Sequence, residues 1–156
     1  MKAVNYRVIV ASVLENHGRY LCIEEKIAGD LKLNQPSGRL EVGESAAHGA
    51  VRETFEESGY SFLPTHIVGI YEYFDAHTST IFLRIAYTGA LFTPHGAATR
   101  GADPEITAVH WLTYEELERS RARHRSPCVL RCVSDYCSGK SYPLDLIAHS
   151  PAFPTL

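Results

Sequence analysis

Between Gly38 and Tyr60 the chain reads GRLEVGESAAHGAVRETFEESGY, and no other stretch constrains the fold as strongly. Ser45 is a helix N-cap type, and Gly59 stands where a left-handed C-terminal residue is wanted, so the spacing predicts a helix running through Glu57. At about 100° per residue, Ala47, Val51, Thr54 and Phe55 form one stripe, while Glu53, Glu56 and Glu57 cluster on the opposite side. The helix is therefore expected to pack one face and to offer its carboxylates on the other.

Glu53 and Glu57 are a like-charge i, i+4 pair, and Glu56 lies beside both. Each repulsion is on the order of 3 kcal/mol at about 5.5 Å and an effective dielectric near 20, less where water screens it. Arg52, four residues before Glu56, is the local source of relief, and no lysine interleaves the acids. A solvated acidic face normally carries such lysines, so a bound divalent cation is the better neutraliser. Hard oxygen ligands select Mg²⁺ or Mn²⁺ over zinc.

The register of Gly38, Glu44, Arg52, Glu53, Glu56, Glu57 and Gly59 resembles the signature of the Nudix hydrolases. At about 5 to 7% usage per residue type, seven specified positions arise by chance roughly once in 10^8 starting points. The resemblance implies an α/β fold, a Nudix-type α/β/α sandwich with a mixed β-sheet between helices. It also implies hydrolysis of phosphoanhydride bonds in small phosphorylated molecules with Mg²⁺, or Mn²⁺, as cofactor. By the same resemblance, Glu53, Glu56, Glu57 and the carbonyl of Gly38 are metal ligands, and Arg52 holds a glutamate in place. Glu44 is an outlying carboxylate that assists the metal or braces the loop. Glu53 is one candidate base. Glu105 is a second, on a loop where related enzymes place an extra carboxylate, with Asp103 its competitor.

At 156 residues the chain is read as a single domain, residues 1–156, with a sizeable core. A net charge of −3 gives no basic field for a nucleic-acid backbone. Arg119, Arg121, Arg123, Arg125 and Arg131 form a local basic run, read either as a solvated helix end or as a device that steers an anionic substrate. Residues 1–14 are too short and too interrupted for a signal peptide or membrane span, so a cytoplasmic protein with no membrane partner is expected. Cys22, Cys128, Cys132 and Cys137 contain no CxxC pair and read as buried reduced thiols.

Strands are predicted over 6–14 and 19–24, with a turn at Asn16-His17-Gly18 between them, and Gly29-Asp30 opens a loop leading to the acidic segment. Further strands fall near 66–74, 80–91 and 106–112, with a loop from 93 to 104. Thr113 and Glu116 form a capping box for a helix beginning at Tyr114, and Ser126-Pro127 start a last helix that Gly139 ends.

Arg84 lies in an otherwise buried-looking strand, where a charge requires a carboxylate or a substrate phosphate as partner. With Gln35 and Arg39 it is a candidate substrate contact. Tyr71, Tyr73 and Phe74 read as core, with stacking on a base as the alternative. Asn34-Gln35-Pro36, Phe82-Leu83-Arg84, Arg125-Ser126-Pro127 and Tyr142-Pro143-Leu144 are similar to one bacterial phosphatase subgroup of the family. That implies action on nucleoside tri- and diphosphates and thiamine-type pyrophosphates, with release of phosphate. Ser37, Thr54 and Leu33 depart from that pattern. Two other readings stay open: a housecleaning pyrophosphatase of oxidised purine nucleotides or nucleoside diphosphate sugars, and a non-catalytic nucleotide-sensing module. The oligomeric state is not determined by the sequence.

Overall fold

Continuous buried runs at 67–69 and 84–87 in two long central strands mark a sheet covered on both faces. A computed structural model describes residues 4–92 and 103–150 of the chain. Its elements in order are β1 (Asn5–Ser12), β2 (Glu15–Asn16), β3 (Arg19–Ile27), β4 (Asp30–Asn34), β5 (Ser37–Arg39), α1 (Ala46–Ser58), β6 (Ser61–Asp75), β7 (Thr80–Phe92), β8 (Ile106–Thr113), α2 (Tyr114–Arg119), a 3-10 turn (Arg121–Arg123), α3 (Cys128–Cys137), β9 (Tyr142–Pro143) and a second 3-10 turn (Leu144–Leu146). The main sheet has the order β5-β1-β7-β6-β9; β1 and β7 run parallel and the other pairs antiparallel, so the sheet is mixed. A smaller sheet forms where β3 pairs with β2, β4 and β8.

Adjacent residues of β6 and β7 face opposite layers, as the pleat requires. Ile67, Ile85 and Tyr87 pack with Ala46, Ala47 and Ala50 of α1, whereas Val68 and Ala86 pack with Val129, Cys132 and Val133 of α3. The expected α/β sandwich is therefore present, with α1 and α3 on opposite faces.

Two details differ from the sequence-based expectation. Residues 30–34 form a strand, because Asp30 to Asn34 pair with Ile27 to Ile23 around the positive-φ residues Ala28 and Gly29. Cys137 is exposed, while Cys22, Cys128 and Cys132 are buried free thiols. The loop expected at 93–104 lies outside the described residues as far as position 102. Among the described residues no helix is long and apolar enough to cross a membrane.

Candidate active site

Helix α1 has the caps its sequence specifies. Ser45 accepts from the His48 N–H at 3.2 Å, and Gly59 adopts φ 75° with its N–H donating to the Phe55 carbonyl at 2.8 Å. The buried face is polar at its end: Ala46, Ala47, Gly49, Ala50, Thr54, Glu57 and Ser58 are buried. Thr54, placed where an aliphatic residue is usual, shares a 2.7 Å hydroxyl contact with Ser12 and donates to the Ala50 carbonyl at 2.7 Å, so its polarity is satisfied. Two expectations are corrected here. Phe55 is 58% exposed, and Glu57 is only 7% exposed. Position 57 points under the loop before the helix, which the helical period alone cannot reveal.

Arg52 is the hub of the acidic face. Its guanidinium donates to both oxygens of Glu44 at 3.0 and 2.7 Å, to Glu53 at 2.9 Å, to Glu56 at 3.1 Å and to the Arg39 carbonyl at 3.1 Å. The Arg52 hydrogen bonds hold the Glu44 carboxyl below its ordinary value. Glu44 also accepts from the Glu41 N–H at 2.8 Å, so its geometry is that of a loop brace.

Glu53 and Glu57 are the acids that burial leaves under-neutralised. Burial raises the Glu53 carboxyl above its usual range against the pull of Arg52. A Cβ added to Gly38 would stand 2.1 Å from the Glu53 carboxylate, so this glycine is what lets that carboxylate lie against the loop backbone. Burial pushes Glu57 up to about 9, with Glu53, Glu25 and Asp103 adding repulsion and the Ser37 N–H, donating at 2.8 Å, opposing it.

Among the described residues no three His, Cys, Asp or Glu side chains converge as a metal site. Arg52 holds Glu53 and Glu56, whereas Glu57 accepts from the Ser37 N–H. The donor chemistry nonetheless fits a hard divalent cation, because Glu53 and Glu57 are carboxylates with a buried charge to neutralise beside the Gly38 cradle.

Outside the helix, the structure brings in Asp103 and one acid that sequence reasoning missed. The Asp103 N–H donates to the Glu56 carbonyl at 3.1 Å, its side chain accepts from the Glu105 N–H at 2.8 Å, and its charge is felt at Glu57. Glu105 is exposed, and its charge is felt at Glu25. Glu25 was not anticipated. It sits at the bulge where β3 pairs with β8, its side chain is 16% exposed, and burial raises its carboxyl despite Arg125 at 3.4 Å. The available signal was the adjacent pair Glu24-Glu25 at the end of an apolar strand, and both side chains are largely buried.

The candidate substrate contacts fare differently. Arg84 is 2% exposed and lies on the α3 side of the sheet, donating to Asn34 Oδ1 at 3.2 Å and Gln35 Oε1 at 2.7 Å, with its Nε unpartnered. Gln35, 0% exposed, passes the linkage on by donating to the Val129 carbonyl at 2.7 Å. Neither side chain reaches the surface, which corrects the expectation of direct substrate contact from both. The partner of Arg84 is a pair of neutral amides, not a carboxylate. Arg39 is exposed at the end of β5, and its carbonyl is the one Arg52 holds. Tyr73 stacks on Phe82 with centroids 5.0 Å apart, and Tyr71 donates to Asp135 at 3.1 Å, so both are used internally; Phe74 is exposed. Leu33 is buried at 2% exposure.

Known proteins match the chain in sequence and in fold. The NUDIX domain family model matches residues 5–131. The chain is 35% identical over 140 residues to "Phosphatase NudJ" of Escherichia coli (strain K12) and to that of Shigella boydii serotype 4, covering 90% of this chain and 89% of each relative. A solved structure, "NUDIX hydrolase from Nitrosomonas europaea", is 39% identical with a TM-score of 0.87, covering 94% of this chain and 98% of that one.

Proposed function

The chain belongs to the Nudix hydrolase family, and from that premise we propose that it hydrolyses phosphoanhydride bonds in nucleoside tri- and diphosphates and thiamine-type pyrophosphates, releasing orthophosphate. The observation that carries this reading is the buried, under-neutralised pair Glu53 and Glu57 beside Gly38, in a chain 35% identical over nearly its whole length to proteins named as phosphatases.

Glu53, Glu56, Glu57 and the Gly38 carbonyl would hold Mg²⁺, or Mn²⁺. Bound there, such a cation would neutralise diphosphate charge and lower the pKa of a water. Arg52 gathers Glu53 and Glu56 on one guanidinium nitrogen, and Glu44 fixes Arg52. The proton of the attacking water passes to a carboxylate, with Glu53 in the helix and Asp103 beside it as the candidates the geometry favours. Glu105, one residue beyond Pro104, backs Asp103 through its N–H. Arg39 is the cation on the loop surface available to a phosphate, while Arg84 and Gln35 act from beneath by anchoring residues 34–35.

Product analysis tests the reading. Incubation of ADP, ATP and thiamine pyrophosphate with enzyme and Mg²⁺ should release orthophosphate from each. Pyrophosphate from a purine triphosphate, or a sugar phosphate from a nucleoside diphosphate sugar, would favour the housecleaning alternative. Binding without turnover would favour the sensor.

A further inference from the structure

The arginine-rich segment between α2 and α3 builds a cleft that the hydrolytic site does not use. It has a volume of about 580 Å³, within the range of small-molecule sites. Its cationic wall is Arg121, Arg125 and Arg131, with His124 beside them, and its apolar part is Tyr114, Pro127 and Leu130. Among the described residues no acid lines it, in a chain whose net charge is −3. Positive charge is thus concentrated at one concave place.

The cleft is separate from the carboxylates of α1. On α3 it is lined by Pro127, Leu130, Arg131 and Ser134, whereas Cys128, Val129, Cys132 and Val133 face the core. Neither Glu53, Glu56 and Glu57 nor the interior Arg84 lines it. Arg125 is the shared boundary, since its Nε lies 3.4 Å from Glu25.

Each arginine has a carboxylate behind it: Arg121 with Glu118 at 2.9 Å, Arg125 with Glu25 at 3.4 Å, Arg131 with Asp135 at 3.1 Å. These pairs hold the guanidiniums in place without closing the cleft. The arginine side chains remain 62%, 46% and 62% exposed, so a dianionic phosphate can take their outward N–H groups through bidentate hydrogen bonds while the carboxylates stay paired behind them.

We propose that this cleft is a binding site for a small phosphate monoester, its phosphate held by Arg121 and Arg131 and its ring resting on Tyr114, Pro127 and Leu130. The inference does not depend on the hydrolytic reading. Its ligand class includes nucleoside monophosphates, and orthophosphate is the minimal fragment.

Calorimetric titration of metal-free protein in EDTA separates this site from the α1 carboxylates, which without a cation repel phosphate. AMP should bind saturably with a Kd of roughly 1 mM or tighter, more tightly than orthophosphate, and more weakly as salt rises. The double variant Arg121→Gln/Arg131→Gln should weaken AMP at least tenfold. Ser134→Glu, which adds a negative charge to the cleft while leaving all three ion pairs, should do the same. Melting curves confirm that both variants fold. No saturable AMP binding, or unchanged affinity in both variants, overturns the proposal; equal affinity for AMP and orthophosphate overturns the role given to the apolar wall.

Discussion

Glu57→Gln is expected to stabilise the metal-free protein while abolishing its activity. Burial pushes the folded-state pKa of Glu57 up to about 9 from an ordinary value of 4.5. A carboxyl raised in this way leaves stability intact below the unfolded pKa and erodes it as pH climbs toward the folded one. At pH 7 the unfolded chain ionises this group and the folded metal-free protein keeps it neutral, which at about 1.36 kcal/mol per pH unit amounts to roughly 3 kcal/mol of lost stability. Glutamine keeps an oxygen for the Ser37 N–H and has no proton to lose. In EDTA at pH 7 the variant should melt about 5 to 10 °C above wild type, and its stability should fall less between pH 5 and 9. Mg²⁺ should raise the melting temperature of wild type and not that of the variant, because the ion binds the ionised carboxylate of the folded state. Turnover should drop by about two orders of magnitude or more. The assay is thermal unfolding across pH, with and without Mg²⁺. A variant that melts at or below wild type in EDTA and keeps the wild-type pH slope would refute the reasoning.

Gly38→Ala should leave melting within a few degrees of wild type but weaken Mg²⁺ at least tenfold, since the new Cβ would meet the movable Glu53 carboxylate at 2.1 Å; calorimetric titration of Mg²⁺ checks it. Asp103→Asn should cost about 10² to 10⁴ in kcat if it is the base outside the helix, and Glu105→Gln much less; the reverse order in steady-state rates would return that role to Glu105. Arg84→Met should lower kcat and Mg²⁺ affinity together for every substrate, because Asn34 and Gln35 lose their anchor below the Ser37 loop. A rise in KM with Mg²⁺ affinity unchanged would mean that Arg84 touches phosphate after all.

Helix α1 was legible in the sequence because its determinants are local. Ser45 and Gly59 act on backbone groups a few residues away, and the 3.6-residue period groups Glu53, Glu56 and Glu57 however the rest of the chain folds. The mixed sheet between helices was legible for a related reason, since β-branched and aromatic runs between turn residues specify strands. The capping box at Thr113 and Glu116 likewise formed as its spacing requires.

Tertiary structure alone decided which members of the acidic set are buried and what stands beside them. Glu57 and Phe55 exchange their expected places because the segment 34–38, held by the β1–β5 pairing and the Arg84 amide contacts, closes over one edge of the helix and leaves another open. Glu25 reaches the site through a bulge in the β3–β8 register, and Asp103 through a single backbone hydrogen bond to Glu56. Arg84 is turned to the opposite face of the sheet by pleat parity, where a one-residue slip would have reversed it. Local hydrogen-bond geometry is written in short-range spacing, whereas desolvation and long-range charge proximity depend on which loops the strand registers bring together.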